Sequence, residues 1–177
     1  KNAPLIYITG GNQNTFMEIA GGTPLVPAIQ EAYENGSTVA GTSAGAALMS
    51  KKMITGDEFK HPEYTGNFRT VEANNIEIKP GLGLIEEAII DQHFIQRMRM
   101  NRLISAVLEN PEVVGIGIDE STAILVDGNQ ATLYGIGQVI VLRNTRNEVK
   151  VKNGLLGARD LNMSIYLPGE SFKIKEN

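Results

Sequence analysis

The sequence predicts an α/β fold in which a parallel sheet carries helices on both faces. Short apolar runs at 5–9 and 113–119 have the composition of buried strands. The segment from about Ile95 to Glu109 has apolar residues at helical spacing and is followed by Asn-Pro, a pair that ends helices. Strands and helices alternate between these runs, and that order is typical of parallel strands joined by helical crossovers.

The individual elements follow from local composition. Strands are predicted at 5–9, 37–41, 88–92 and 113–119, and helices at 24–35, 44–50 and 95–109. Residues 51–75 are polar and lack a clear period, which predicts a long loop. Beyond residue 121, short β-prone runs alternate with turn signals such as Asp127-Gly128, so this part is predicted to form β-hairpins.

Composition narrows the possible functions. The 177 residues suit one domain, and 42% of them are hydrophobic, as in a globular protein. No apolar run approaches the roughly 18 residues of a membrane span, and the net charge of −4 does not suit a nucleic-acid binder. With no cysteine, the chain has no disulfide, thiolate metal site or cysteine nucleophile. We therefore expect a single domain over residues 1–177 with no membrane or nucleic-acid partner. A cytoplasmic location is a separate expectation, which the composition itself does not fix.

The hexapeptide GTSAGA at 41–46 places Ser43 between a predicted strand and a predicted helix. Reactive groups collect at the carboxyl ends of parallel strands, and small neighbours suit a tight strand-to-helix turn. The following helix directs free N–H groups at the same place, where the N–H of Ala44 can stabilise an oxyanion. Two interpretations remain open from this motif alone: Ser43 is a nucleophile, or it is the N-cap of a helix whose small residues serve packing.

A serine nucleophile needs a base, usually histidine, and a third group that orients the base. Of the two histidines, His93 directly follows a predicted strand, whereas His61 lies in the polar segment, so His93 is the predicted base. A structural histidine would have the same sequence signature. Asp119 and Glu120, at the end of the last predicted parallel strand, are the candidate acids. Because side chains alternate along an extended chain, only one of the two is expected to face the site, and the residues themselves do not decide which.

A cluster of three arginines, Arg97, Arg99 and Arg102, closely follows His93. No acidic residue lies between Asp91 and Glu109 to balance these charges locally. Arginine forks suit carboxylates, so the cluster predicts a carboxylate-bearing substrate, with a solvated charged face as the alternative. The cluster is too short to indicate nucleic-acid binding.

The tetrapeptide GGNQ at 10–13 follows the first predicted strand. A glycine there can bring a backbone N–H up to an oxyanion, and Gln13 can hydrogen-bond a substrate. The motif alone is a weak signal, however, and by itself it favours a plain turn. The sequence contains no nucleotide-binding motif and no spacing typical of metal ligands.

Taken together, these strings occur in the order and approximate spacing of the cyanophycinases, which the sequence resembles over about residues 4–143. The most specific are DQHFIQRMRMNRL at 91–103 and GIGIDESTA at 115–123. The cyanophycinases belong to a serine peptidase group that also holds the aspartyl dipeptidases. The resemblance implies a flavodoxin-like sheet, as in the class I glutamine amidotransferases, and it predicts no cofactor and no metal.

The resemblance also implies roles for individual residues. Ser43, His93 and Glu120 match the catalytic triad, which selects Glu120 over Asp119. The backbone N–H groups of Gly11 and Ala44 match the oxyanion donors. The residues that match the family's substrate pocket are Gln13, Asp91, Gln92, Arg97, Arg99 and Arg102.

The implied substrate is cyanophycin, a polyaspartate chain with arginine joined to each side-chain carboxyl, which the family cuts to β-Asp-Arg dipeptides. A β-aspartyl peptide is the related possibility. Two alternative functions are an aspartyl or isoaspartyl dipeptidase of the same fold and a non-catalytic carboxylate-binding module. The resemblance also implies a homodimer. It further implies that residues 1–177 are the C-terminal part of a longer chain, and that the N-terminal segment of the same protein packs against them.

Overall fold

Strands and short helices alternate along the first two thirds of the chain, and strands alone follow. The structure is a computed structural model that describes residues 3–63, 68 and 70–176. The helices in this part of the chain are α1 (Gln13–Ala20), α2 (Leu25–Glu34), α3 (Ala44–Ala47) and α4 (Met100–Glu109). The strands are β1 (Leu5–Ile8), β2 (Thr38–Gly41), β3 (Lys52–Glu58), β4 (Ile76–Pro80), β5 (Ala88–Gln92), β6 (Val114–Ile118), β7 (Thr122–Asp127), β8 (Gln130–Gly135), β9 (Val139–Asn144), β10 (Lys150–Lys152), β11 (Leu155–Gly157), β12 (Leu161–Tyr166) and β13 (Ser171–Lys173).

The strand pairings define a mixed α/β fold. β1 pairs with β2, and β5 with β6, in parallel. The other six pairings between strands in the described ranges are antiparallel. The four-stranded sheet has the order β12-β9-β6-β5, so the late strand β9 lies beside β6. The predicted α/β class is confirmed, while the mostly parallel, flavodoxin-like arrangement stays a prediction.

Two apolar clusters form the core, and β5 contributes to both. Ala88 and Ile90 belong to one cluster together with residues of α1, α2 and α3, whereas Ile89 belongs to the other with residues of α4. This division follows from the alternation of side chains along a strand. On β6, a Cβ at Gly117 would lie 2.3 Å from the ring of Phe94, so only glycine lets that ring pack there. Because β5 and β6 are parallel, the chain leaves both strands at the same edge.

The predicted loop at 51–75 is wrong for its first half. Residues 52–58 form β3, which pairs antiparallel with β4. Met53, Ile54 and Thr55 are buried in succession, and the register shifts between Ile54 and Glu58. A strand buried on both faces and then bulged has no period of two, so its sequence lacks the alternation that identifies a strand.

The predicted helix at 95–109 starts later, at Met100. Residues 94–99 form turns, and Met98 has a φ of 49°, which is incompatible with a continuing right-handed helix. The helix predicted at 44–50 is likewise only the four-residue α3. Helix α1 was not predicted; its signal is Asn12, whose side chain accepts from the N–H of Thr15 at the N-cap.

The remaining predicted elements are confirmed. The four predicted strands of the first part are β1, β2, β5 and β6, and the helix predicted at 24–35 is α2. The hairpin signal at Asp127-Gly128 joins β7 to β8. Within the described ranges, no helix has the length and apolar character that crossing a membrane requires.

Candidate active site

Ser43 lies on the tight turn between β2 and α3, with φ 54° and ψ −117°. A non-glycine residue rarely adopts a positive φ, and such strain persists only where the surrounding structure imposes it. Ser43 stands at the N-cap position of α3, yet its side chain makes no capping hydrogen bond. Its Oγ lies 2.8 Å from Nε2 of His93 instead. The geometry therefore favours the nucleophile over the helix cap.

The small residues around Ser43 bring α3 into direct backbone contact with the sheet. A Cβ at Gly45 would lie 2.4 Å from the carbonyl oxygen of Ile8, and a Cβ at Gly41 would lie 2.2 Å from the carbonyl oxygen of Gly45. No side chain fits at these distances. The sequence GTSAGA is thus required by close packing at the same turn that presents the Ser43 hydroxyl.

His93 links the serine to an acid. It follows β5 with a φ of 51°, and its Nδ1 lies 2.8 Å from Oε1 of Glu120. Ser43, His93 and Glu120 thus form one chain of hydrogen bonds, from three different turns at strand ends. In this arrangement a carboxylate selects the ring tautomer whose Nε2 accepts the serine proton.

Asp119 also contacts the His93 segment, by a different route from Glu120. Its Oδ1 accepts the backbone N–H groups of Ile95 and Gln96, at 3.1 and 3.0 Å. Of the two acids, only Glu120 contacts the imidazole ring of His93. β6 ends at Ile118, so the alternation of an extended strand does not govern Asp119 and Glu120.

The backbone N–H groups of Gly11 and Ala44 lie on the loops that follow β1 and β2, two strands that run side by side in parallel. Neither N–H donates to an acceptor within the described part of the chain. Ala44 is the first residue of α3, where backbone N–H groups have no intrahelical partner.

Four of the residues matched to a substrate pocket form a buried network beneath His93 instead of an open surface. Nε of Arg102 donates to Asp91 at 2.6 Å, and Nη2 of Arg102 contacts the other oxygen of the same carboxylate. Nη1 of Arg99 donates to the backbone and side-chain oxygens of Gln92, at 2.6 and 2.9 Å. All four side chains are buried. Asp91 and Gln92 directly precede His93, and Arg99 and Arg102 follow at the far end of the turn, so the network joins the two ends of that turn.

The other two matched residues differ from each other. Gln13 is buried, and its amide nitrogen donates to the carbonyl oxygens of Ile54 and Thr55, at 2.9 and 2.8 Å, which ties α1 to β3. Arg97 is exposed and makes no ion pair within the described residues. Its backbone N–H donates to the carbonyl oxygen of His93 at 2.9 Å. Arg97 is therefore the one arginine of the cluster that is exposed to solvent.

His61, the rejected base, lies in a separate exposed pair. Its Nε2 is 2.8 Å from Oε2 of Glu72, to which Thr70 also donates. The hydrogen bond from His61, supported by that from Thr70, holds the pKa of Glu72 below its usual range. This pair makes no hydrogen bond to Ser43. No group of three or more His, Cys, Asp or Glu side chains in the described ranges is arranged to hold a metal ion.

Comparison with known proteins places these residues in a family context. The model of peptidase family S51 matches residues 1–134 of the chain. The cyanophycinase of Trichormus variabilis is 37% identical over 176 residues, which cover 96% of this chain and 56% of that protein. The cyanophycinase of Geminocystis herdmanii is 38% identical over 142 residues, covering 77% of this chain and 48% of that protein.

A solved structure is similar over almost the whole chain. The crystal structure of a peptidase from an acI-B1 actinobacterium has a TM-score of 0.66 and 26% identity, and the match covers 98% of this chain and 60% of that one. The chain spans about half the length of the curated relatives that it matches.

Proposed function

The chain belongs to peptidase family S51, and from that premise we propose that it is a serine peptidase that hydrolyses cyanophycin to β-Asp-Arg dipeptides through an acyl-enzyme. The observation that carries the proposal is the hydrogen-bonded chain from Ser43 through His93 to Glu120, with two contacts of 2.8 Å. The proposed substrate is inferred from the similar proteins, which are cyanophycinases.

In the proposed first step, Oγ of Ser43 attacks the scissile carbonyl carbon while Nε2 of His93 takes the hydroxyl proton. Glu120 keeps the ring oriented and stabilises the imidazolium that forms. The backbone N–H groups of Gly11 and Ala44 bind the developing oxyanion, each worth about 3 kcal/mol of transition-state stabilisation. Nε2 then returns the proton to the leaving amine, which departs and leaves the acyl-enzyme.

In the second step a water molecule attacks the ester carbonyl, with His93 as its general base. The tetrahedral intermediate collapses, the Ser43 oxygen recovers its proton from His93, and the acid product leaves. No cofactor or metal enters either step of the proposal.

Arg97 is the proposed substrate contact. Cyanophycin carries arginine on each side chain, and the joined arginines leave their own carboxyl groups free. A guanidinium next to the catalytic turn suits such a carboxylate because its fork binds both oxygens. The buried side chains of Gln13, Asp91, Gln92, Arg99 and Arg102 support the site in this proposal by holding its elements. The flavodoxin-like arrangement, the homodimer and the cytoplasmic location stay predictions.

The test is hydrolysis of purified cyanophycin by the complete protein, with release of β-Asp-Arg followed by mass spectrometry. We expect Ser43→Ala to lower the rate by about 10⁴-fold or more. Ser171→Ala is the matched control and should retain the wild-type rate. Ser171 is an exposed serine on β13, and within the described residues its Oγ hydrogen-bonds only to Thr132. Full hydrolysis by Ser43→Ala would overturn the triad.

The substrate is tested separately with α-Asp dipeptides and with a serine-reactive fluorophosphonate. Faster cleavage of the α-Asp dipeptides than of cyanophycin would favour the dipeptidase. Labelling of Ser43 without cleavage of the polymer would keep the hydrolase and reject the substrate. Absence of both labelling and cleavage would favour a non-catalytic module.

A further inference from the structure

The turn that carries His93 needs support from outside itself. His93 has a φ of 51° and Met98 a φ of 49°, so two non-glycine residues within one turn are left-handed. Such a residue is strained and persists only where its surroundings impose it. The segment from Phe94 to Arg99 is not regular helix, so its first N–H groups have no helical partners within the turn.

Asp119 supplies that support from β6. Its Oδ1 accepts both the N–H of Ile95 and the N–H of Gln96, at 3.1 and 3.0 Å. Such charge-assisted bonds to backbone N–H groups are stronger than neutral ones. A third bond runs beside them, from the N–H of Phe94 to the carbonyl oxygen of Ile118 at 3.2 Å. Three consecutive N–H groups after His93 are therefore bound to the end of one strand.

The same strand end also holds the imidazole ring. Glu120, the next residue, lies 2.8 Å from Nδ1 of His93. Asp119 itself is attached to the start of β9, because its N–H donates to the carbonyl oxygen of Gln138 at 3.3 Å. The two adjacent carboxylates thus act on different parts of the base: Glu120 binds its ring, and Asp119 binds the backbone of its turn.

We propose that Asp119 is a positioning residue, which holds the turn after His93 so that the ring spans Ser43 and Glu120. The inference rests on the proposed serine-peptidase function and adds to it a residue outside the triad. Asp119 touches no reacting atom, so it acts through His93 alone.

The experiment compares Asp119→Ala, Asp119→Asn and Asp119→Glu in the complete protein, with Asp127→Ala as the control. Asp127 is an exposed aspartate at the end of β7, and its carboxylate makes no hydrogen bond within the described residues. Three quantities are measured: the rate of Ser43 labelling by a fluorophosphonate, kcat and KM on cyanophycin, and the folded fraction by circular dichroism.

Asp119→Ala should lower the labelling rate and kcat per folded molecule by about 10- to 100-fold, because a small misplacement of a catalytic group has effects of this size. KM should stay within about twofold, since Asp119 does not bind substrate. Asp119→Asn keeps an acceptor oxygen at the same place and should restore most of the rate. Asp119→Glu keeps the charge but displaces the oxygen, and it should lose about tenfold.

Several results would overturn the inference while the proposed function stands. The first is a rate of Ser43 labelling per folded molecule that is the same in Asp119→Ala as in the wild type. Equal losses in the alanine and asparagine variants are another, because they would assign the effect to charge instead of position. If the alanine variant does not fold, a wild-type rate in Asp119→Glu overturns the inference by itself. Absence of labelling in the wild type would overturn the proposed function and this inference with it.

Discussion

Ser43 shows how a single residue combines strain and chemistry. Its positive φ directs the side chain away from the capping position of α3, and the hydroxyl meets His93 at 2.8 Å. A serine that caps a helix instead directs its oxygen at the backbone N–H groups of the helix and accepts them. The backbone conformation at this one position therefore supports the proposed reactive serine over a helix cap.

Arg97 allows a prediction at the same scale. Arg97→Ala should raise KM for cyanophycin by about tenfold while kcat changes little, because the lost contact is made equally in the ground state and the transition state. The measurement is steady-state kinetics on the polymer. Arg146→Ala removes another exposed arginine, one paired with Asp160 at 2.8 Å, and should leave KM unchanged. Equal kinetics in both variants would contradict the role of Arg97.

At the scale of elements, the contact between α3 and the two parallel strands β1 and β2 is made by backbone atoms. Gly41 and Gly45 permit it, since side chains at either position would overlap carbonyl oxygens. The arrangement places the first N–H groups of α3 next to the end of β1. Close packing and the proposed oxyanion site therefore have the same origin in the sequence.

Gly45→Ala tests this contact. The new Cβ would lie 2.4 Å from the carbonyl oxygen of Ile8, so α3 must move, and we expect unfolding free energy to fall by about 1–3 kcal/mol. Hydrolysis should fall as well, because Ser43 moves with the helix. Gly22→Ala is the control, since a Cβ there meets no atom within 4 Å. Denaturant unfolding of both variants, followed by activity assays, gives the comparison; a stable and active Gly45→Ala would refute the packing argument.

At the scale of the whole molecule, a buried ion pair joins α4 to β5 through the second apolar cluster. Arg102 has 2% of its side chain exposed and Asp91 has none. The guanidinium carbon of Arg102 also lies 4.7 Å from the ring centroid of Phe68. A charge in such a place is stable only with its partner, because desolvation of a lone ion costs several kcal/mol.

Arg102→Met should therefore lower the free energy of unfolding by about 3–5 kcal/mol, since it leaves the Asp91 carboxylate buried without its main partner. Adding Asp91→Asn should recover part of that loss. The matched surface variant Arg146→Met breaks a pair whose side chains are 58% and 56% exposed and should cost less than about 1 kcal/mol. Chemical denaturation of the three proteins measures these differences. Equal free energies of unfolding for Arg102→Met and Arg146→Met would show that the buried pair contributes no more to stability than the exposed pair.

Local patterns in the sequence were sufficient to predict strands β5 and β6 and helix α2, and to select Ser43 and His93 as candidate site residues. Apolar runs, a helical stripe and a run of small residues are properties of neighbouring residues, so they can be recognised without coordinates. β3 escaped recognition because burial on both faces and a bulge removed its period. The start of α4 was predicted too early because the apolar spacing begins at Ile95, whereas the left-handed backbone of Met98 prevents a helix before Met100.

What only the tertiary structure decided is which polar groups meet. The sequence by itself determined that His93, Asp119 and Glu120 follow predicted strands and that three arginines closely follow His93, but the distances between strands are set by packing. Arg99 and Arg102 look like substrate ligands in sequence. In the fold they are buried partners of Gln92 and Asp91, because the start of α4 and the residue before it pack against β5. Asp119 likewise acquires its partners, the N–H groups of Ile95 and Gln96, only when β6 is placed beside β5.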